Sequence, residues 1–383
     1  MSRLKQLTEI HQSGKPYIIY KSKKGFNLYT NFSKKIILNN KNIESFLTKK
    51  NKKKSKDTDL FIGFFGYELL NNLINVKIPK QKNLNFPKGI FYKPEKKIKL
   101  SNKLNYDFEN FESSNFKINI NRINYKRIFN KFKKKIKSGE TYQIKICTKY
   151  KTKSKINPLD FFSRLSDTNL APEAFMIKDN NYSIISCSPE TLIIKKGSDI
   201  STKPIAGTVK KTKQLNKIKA LNYFRKNLKE TKEHNMIVDM ERNDLSRICK
   251  VGSVKLSKQK IVEEYKDLFH YVSLIKGKLK KNINNFEIIK AMMPGGSVIG
   301  CPKINTLNLL NNQEKENRNI YTGSFGYIKF NGDMRFNIII RSILNFKDIS
   351  EISVASGVVV DSNANHEFNE NFLKAKALID LFK

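Results

Sequence analysis

Two Glu-x-x-Glu elements stand out in a chain whose 383 residues carry a formal net charge of +40. Glu230 and Glu233, with His234 beside the second, lie in "KETKEHNMIVDMERNDLSR", and Glu367 and Glu370 lie in "NHEFNENFLKAKALIDLFK". On a helix, a spacing of three puts both carboxylates on one face. Two such helices can offer four hard oxygen ligands and leave the neighbouring lysine and histidine for a substrate. Magnesium prefers one or two carboxylates, several waters and an anionic substrate to a closed protein cage. The pattern therefore points to a magnesium ion that anchors a carboxylated small molecule. Zinc fits less well, because no histidine falls at i,i+4 from another. The plain alternative for the second pair is a surface ion pair, Glu370 to Lys374, worth only about 0.3–0.5 kcal/mol.

Other residues suit an anionic ligand. "MMPGGSVIGCPKINTLNLL" places Gly295, Gly296 and Gly300 before a helix, with Pro302 suited to its first turn. Glycines there let backbone N–H groups approach an anion, with Ser297 as a hydroxyl donor. Cys301 and Pro302 stand where a phosphate-binding loop needs Lys and Ser/Thr, which rules that reading out. A carboxylate cradle and a plain glycine-rich turn both remain. Arg341, ending the apolar run "FNIIIR", is either a surface residue or a fork for a carboxylate. Gly357 in "VASGVVV" suggests close backbone approach within a strand. His270 in "FHYVS", one of four histidines, is either a satisfied core residue or a functional one.

The elements that must position these groups come from periodicity. In the last helix, Phe368, Phe372, Ala375, Ile379 and Phe382 recur at spacings of 4, 3, 4 and 3 and are expected to form its buried stripe. Glu367, Glu370 and Lys374 then share an arc of roughly 60° beside it. "YKRIFNKFKKKIKSGE" puts Ile128, Phe129, Phe132 and Ile136 on one helical face and stops at Gly139. "TYQIKICTKY" alternates as a strand with Tyr142, Ile144 and Ile146 on one side, and "NYSIISCSPETLIIKKG" reads as strand, turn, strand. "SFGYIKFNGDMRFNIIIRSI" predicts a hairpin on Asn331-Gly332, opened by Tyr321 and with Arg341 at the end of its second strand. "EISVASGVVV" reads as a further strand. The sum is an α+β fold with largely antiparallel sheets, divided into an N-terminal region 1–115 that contributes to the sheet and a catalytic region 116–383. The charge run "TKKNKKKSKDTD" reads as a solvated loop.

Composition bounds the class. Apolar content of 39%, with 26 Phe and 15 Tyr, argues for a folded protein with a large core. The lysines are spread along the chain with no recognised nucleic-acid module, so a compositional drift is favoured over nucleic-acid binding. Cys147, Cys187, Cys249 and Cys301 are far apart and suit reduced thiols in a cytoplasmic protein. No signal peptide or membrane-spanning run is evident.

Taken together, "GETYQIKI", "SCSPETLI", "KPIAGTVKK", "KEHNMIVDMERNDLSRI", "HYVSLIKG", "PGGSVIGCPK", "YTGSFGYIKFNGDMRFNIIIR" and "EFNENFLKAKAL" resemble the chorismate-binding enzymes, in family order over about 120–383. The family includes anthranilate synthase component I, aminodeoxychorismate synthase component I, and the isochorismate and salicylate synthases. The resemblance implies a two-layer antiparallel β-sandwich flanked by helices. It implies Glu233 and Glu370 as magnesium ligands, with Glu230 and Glu367 holding the metal's waters. Tyr321, Arg341, Gly357 and Lys374 match residues that bind two substrate carboxylates. Glu190 matches the acid/base that assists departure of the C4 hydroxyl, and His270 the histidine near the enolpyruvyl group.

Gln143 occupies the position where water-adding members carry a lysine base and ammonia-adding members a glutamine. A neutral amide cannot deprotonate water but can hydrogen-bond. The resemblance thus implies amination, with ammonia from a glutamine amidotransferase partner, because the chain shows no glutaminase triad of its own. Ala206 in "PIAGT" resembles anthranilate synthases, where aminodeoxychorismate synthases often carry a lysine that attacks the ring. Ser297 in "PGGSVIG" resembles aminodeoxychorismate synthases, and no "LLES" element of a tryptophan site is present. The expectation is a magnesium-dependent aminodeoxychorismate synthase subunit. Anthranilate synthase is the alternative, and a non-catalytic basic binding protein is the competing class.

Overall fold

The computed structural model of the chain describes residues 3–49, 56–76, 78, 85–104, 115–265 and 268–383. Residues 50–55 of the charge run 48–59 fall outside them. The described residues form an α+β structure in which eighteen strands join one hydrogen-bonded network, and the pairings are antiparallel. One run starts at Gln143–Lys153 and passes through Ile349–Val358, Ser342–Phe346, Tyr182–Ser188, Glu173–Lys178 and Tyr17–Ser22 to Gly25–Ile37. There it joins Gly89–Leu100. A second run continues through Leu60–Phe65, Ser324–Lys329, Met334–Asn337, Thr191–Lys196 and Asp199–Lys203 to Leu268–Lys278. Strands from before residue 115 thus pair directly with strands of the C-terminal half.

An aromatic core is shared by the two runs. Phe175 of the first stacks on Phe325 of the second, with ring centroids 3.7 Å apart and planes 5° apart. Tyr20 meets Phe325 edge-on at 5.1 Å, and Ile18, Ile62, Ile90 and Ile177 fill around them. The alternation of the strands builds this layer, since every second side chain of each points inward. The hairpin on Asn331-Gly332 forms as expected: Gly332 takes φ +86° and its N–H donates to Lys329 O. Its second strand ends at Asn337, however, so Arg341 lies beyond it, with φ +52°. Tyr321 sits in the turn before Ser324 rather than on the strand.

Three helices carry the residues of interest. Arg122–Lys137 is capped by Asn121, whose side chain accepts from Asn124 N, and buries Tyr125, Phe129 and Phe132; Gly139 follows its end at φ +77°. Leu228–Ile248 is capped by Asn227 on Glu230 N. Ala364–Ile379 is capped by Asn363. The last helix corrects the expected stripe: Phe372 is 46% exposed, and the buried face is Glu367, Asn371, Ala375 and Leu378. The cause is a polar anchor. Asn371 Nδ2 donates to Ile146 O and to Thr148 Oγ1 of the strand beneath, which turns the helix away from a purely apolar face. Tyr142, expected inward with Ile144, precedes the strand and is exposed. Among the described residues no helix is long and apolar enough to cross a membrane.

Phe175→Ala is expected to destabilise the fold by about 3–5 kcal/mol in urea unfolding, because the stacked ring has no solvent exposure. A loss near zero would contradict the shared core.

Candidate active site

The strand Gln143–Lys153 and the strand Ile349–Val358 pair in a register that sets Lys145 opposite Gly357. Alternation sends Gln143 and Lys145 to the side opposite Ile144 and Ile146, whose side chains enter a core with Phe129 and Phe132. On that open side both meet Glu233: Gln143 Nε2 donates to Glu233 Oε1 at 2.8 Å, and Lys145 Nζ donates to the same oxygen at 2.7 Å. A Cβ on residue 357 would stand 2.8 Å from Lys145 Nζ and 2.9 Å from Gln143 Nε2. Glycine at this strand position therefore opens the space that these groups occupy.

The C-terminal helix closes the other side. Lys374 Nζ pairs with Glu370 Oε1 at 2.7 Å and donates to Ala355 O at 3.0 Å. Burial works against the charge on Lys145, yet Glu233, then Glu370 and Glu367, raise its pKa above the usual range. Burial likewise disfavours the Glu233 carboxylate, but Lys145, Gln143 and Lys374 hold its pKa down at about 2. The acids of the two helices are thus linked through the ammonium groups of Lys145 and Lys374.

These acids can be tested as cation ligands on their donor chemistry. His366, Glu367 and Glu370 each bring a ligand atom within 4.8 Å of the others. Glu233 is not in that group, since its carboxylate is turned onto Lys145 and Gln143. Glu230 lies farther along, with Oε2 3.0 Å from where a Cβ of Gly207 would stand. Carboxylates from convergent helices are hard ligands of the kind magnesium takes, so the residues fit in kind. His234 is not available for a substrate: it is fully buried, its Nε2 pairs with Ser273 Oγ at 2.7 Å, and its ring lies against Tyr271.

A second cluster adjoins the first. Glu190, following the strand Tyr182–Ser188, is buried, and burial pushes its carboxyl up to about 7 even though the Lys145 ammonium favours its charge. Neither Glu190 Oε1 nor Ser297 Oγ completes a hydrogen bond. Ala206 is buried on the strand Ile205–Lys210, which runs between Glu230 and His270. His270 Nδ1 pairs with Thr208 Oγ1 at 2.8 Å, and burial, then Arg341, lowers its pKa to about 4. Arg341 is half-buried and, among the described residues, has no carboxylate partner. Burial lowers its pKa, and no carboxylate of the described residues is paired with it to offset that. Tyr321 is buried beside Arg318, and no hydrogen bond joins it to Arg341 or Lys374.

Three residues that sequence reasoning passed over belong here. Lys145 is one; its signal was the alternation that places it two residues from Gln143. Glu241 and Asp244 are the others, on the Glu233 helix at i+8 and i+11. Asp244 is ion-paired with buried Lys303, whereas Glu241 has only Thr202 Oγ1, at 2.5 Å. Burial and the nearby Glu190 keep the Glu241 carboxyl well above its ordinary range.

Comparisons place this arrangement in a family. Aminodeoxychorismate synthase component 1 of Bacillus subtilis is 36% identical over 249 residues, covering 65% of this chain and 53% of that one. The chain thus spans about half the length of that relative. An anthranilate synthase component I-like protein of Synechocystis sp. is 31% identical over 347 residues, covering 83% and 72%. The crystal structure of anthranilate synthase component I from Streptococcus pneumoniae superposes with a TM-score of 0.78 at 25% identity, covering 95% and 92%. The family model described as chorismate binding enzyme matches residues 105–380, a stretch that holds every site residue above, and the chain belongs to that family.

Proposed function

We propose that the chain is the synthase subunit of a glutamine-dependent pair and aminates chorismate to 4-amino-4-deoxychorismate. The observation that carries this reading is the state of Gln143. Its Nε2 is committed to Glu233, which leaves Oε1 buried and without a partner. A buried amide oxygen can accept a hydrogen bond from ammonia but cannot take a proton from water, which favours amination over hydration. In this reading the two runs of strands are the two layers of a sandwich, and the substrate lies between the Glu233 and Glu370 helices.

The remaining groups take roles that their surroundings support. Arg341, a guanidinium with no anion of its own, takes one carboxylate of the substrate, helped by Tyr321 and the backbone at Gly357. Lys374 lies on the side of the second. Glu230, Glu233, Glu367 and Glu370 would hold magnesium, which when bound supplies positive charge to a substrate carboxylate. Glu190 holds a proton near neutral pH because it is buried, and it delivers that proton to the C4 hydroxyl as the C–O bond breaks. Ammonia forms the new C–N bond at C4, water leaves, and the surplus proton on nitrogen restores Glu190. Holding the dianion and ammonia in reacting geometry supplies much of the acceleration.

Ala206 favours one alternative. A buried methyl offers no amine for covalent attack on the ring, so ammonia must attack directly, and attack at C2 as the C4 hydroxyl leaves as water, followed by loss of pyruvate, would give anthranilate. Incubating the purified chain with chorismate, Mg²⁺ and ammonium salt separates the two. 4-Aminobenzoate that appears only after a separate lyase is added is the expected result, and anthranilate fluorescence with pyruvate release would overturn the product assignment. Glu233→Gln and Glu370→Gln are each expected to reduce turnover by about a hundredfold or more. Full activity in either removes that residue from the essential set.

Glu190 also makes a stability prediction. Its folded pKa of about 7 lies above the ordinary 4.5. Between those values the folded state keeps a proton that the unfolded chain has lost, so stability falls as pH rises across that window and levels above it. Glu190→Gln is expected to shrink the difference in urea stability between about pH 5 and about pH 8 by up to about 3 kcal/mol. An unchanged difference would show that this carboxyl is not held protonated.

A further inference from the structure

Lys145 has no role in the reaction just described, yet it is the cation on which the acids converge. We propose that Lys145 is a built-in competitor for the divalent cation: its ammonium neutralises Glu233 and opposes any metal that approaches that carboxylate. This deepens the reading of Glu233 as a metal ligand and rests on it.

Three observations carry the inference. First, Lys145 Nζ and Gln143 Nε2 both donate to Glu233 Oε1, at 2.7 and 2.8 Å, so the lone pairs of that oxygen are already used. Second, the ion pair is sheltered. The side chains are 13% and 22% exposed, against 44% and 37% for the Lys374–Glu370 pair on the neighbouring helix. Exposed i,i+4 pairs of the latter kind contribute little and yield readily to solvent, whereas a sheltered pair holds its geometry. Third, the backbone is shaped around the ammonium. Lys145 lies opposite Gly357 in the strand register, and a Cβ there would stand 2.8 Å from Nζ. The position of Nζ is therefore built in.

A cation entering between Glu233 and the Glu367/Glu370 pair meets an ammonium already in the field of all three acids. Either the lysine swings off Glu233 or the incoming ion faces a like charge at contact distance. Both lower the affinity of the site for a divalent ion. Gln143, the second donor to Glu233, is neutral and imposes no such repulsion, so removing the lysine charge alone should release most of the competition.

Binding of Mn²⁺ to the whole chain, read from loss of the free-ion electron paramagnetic resonance signal, reports the competition without turnover. Lys145→Met keeps the apolar stem and removes the charge, and is expected to tighten Mn²⁺ binding by about tenfold or more. Lys145→Arg keeps the charge and is expected to stay within about threefold of the unaltered chain. Glu233→Gln controls for the underlying reading and is expected to weaken Mn²⁺ in either background. If Lys145→Met binds Mn²⁺ no more tightly while Glu233→Gln weakens it, the competitor is overturned and the ligand stands. If Glu233→Gln has no effect, the ligand reading falls and the competitor with it. Lys145→Gln provides the same comparison should the methionine variant fail to fold by urea titration.

Discussion

The register between Gln143–Lys153 and Ile349–Val358 is the constraint on which the site depends. Ten antiparallel partners run from Ile349 opposite Lys153 to Val358 opposite Ile144. A slip of one residue would exchange the faces, sending Gln143 and Lys145 into the apolar core and Ile144 and Ile146 toward Glu233. The same strand anchors the C-terminal helix through Asn371, whose amide bonds to Ile146 O and Thr148 Oγ1. One strand therefore fixes the phase of Glu367 and Glu370 from one face and the position of Lys145 from the other. Because this strand lies toward one end of the network and the Glu233 helix packs near the other, the site closes where the two ends of the chain's sheet approach.

Charge is managed differently inside the site and outside it. Elsewhere, several shielded acids are matched by cations: Glu351 by Lys149 at 2.7 Å, Glu314 by Arg318 at 2.6 Å, and Glu173 by Arg335, with the Tyr20 hydroxyl as a further donor. Such pairs are costly to break, since a lone buried charge would remain. Within the site, Glu190 and Glu241 are buried with hydroxyl neighbours and no direct ion pair, so they keep their protons instead. Arg341 is the converse, a cation without an anion. Proton-bearing acids and an unpaired guanidinium in one region are the groups that the proposed function assigns to an anionic substrate.

Much of this was legible in the sequence, and the failures share a cause. Hairpins, caps and apolar helix faces follow from local chemistry, which is why Asn331-Gly332, Gly139 and the Phe129/Phe132 face appear where expected. The final helix differs in phase because Glu367 and Asn371 are buried polar residues, the latter with partners on a distant strand, and an apolar-stripe reading counts them as exposed. Arg341 was assigned to a strand because "FNIIIR" is apolar, whereas the backbone leaves the ladder after Asn337. Lys145 was overlooked in a lysine-rich chain where one lysine does not stand out by type. Its importance comes from facing Glu233 across 88 residues of sequence, a separation that no local pattern encodes. The likeness of motifs over residues 120–383 was the signal that gathered these distant positions into one family.

In the site proposed above, acids on two helices address one cation, with Lys145 between them. Anomalous diffraction from a crystal of the chain soaked in Mn²⁺ tests it most directly. The expected result is a peak bounded by carboxylates of both Glu233 and Glu370, with Lys145 Nζ displaced from Glu233 Oε1. A peak held by His366, Glu367 and Glu370 alone, with the Lys145–Glu233 ion pair intact, would contradict it.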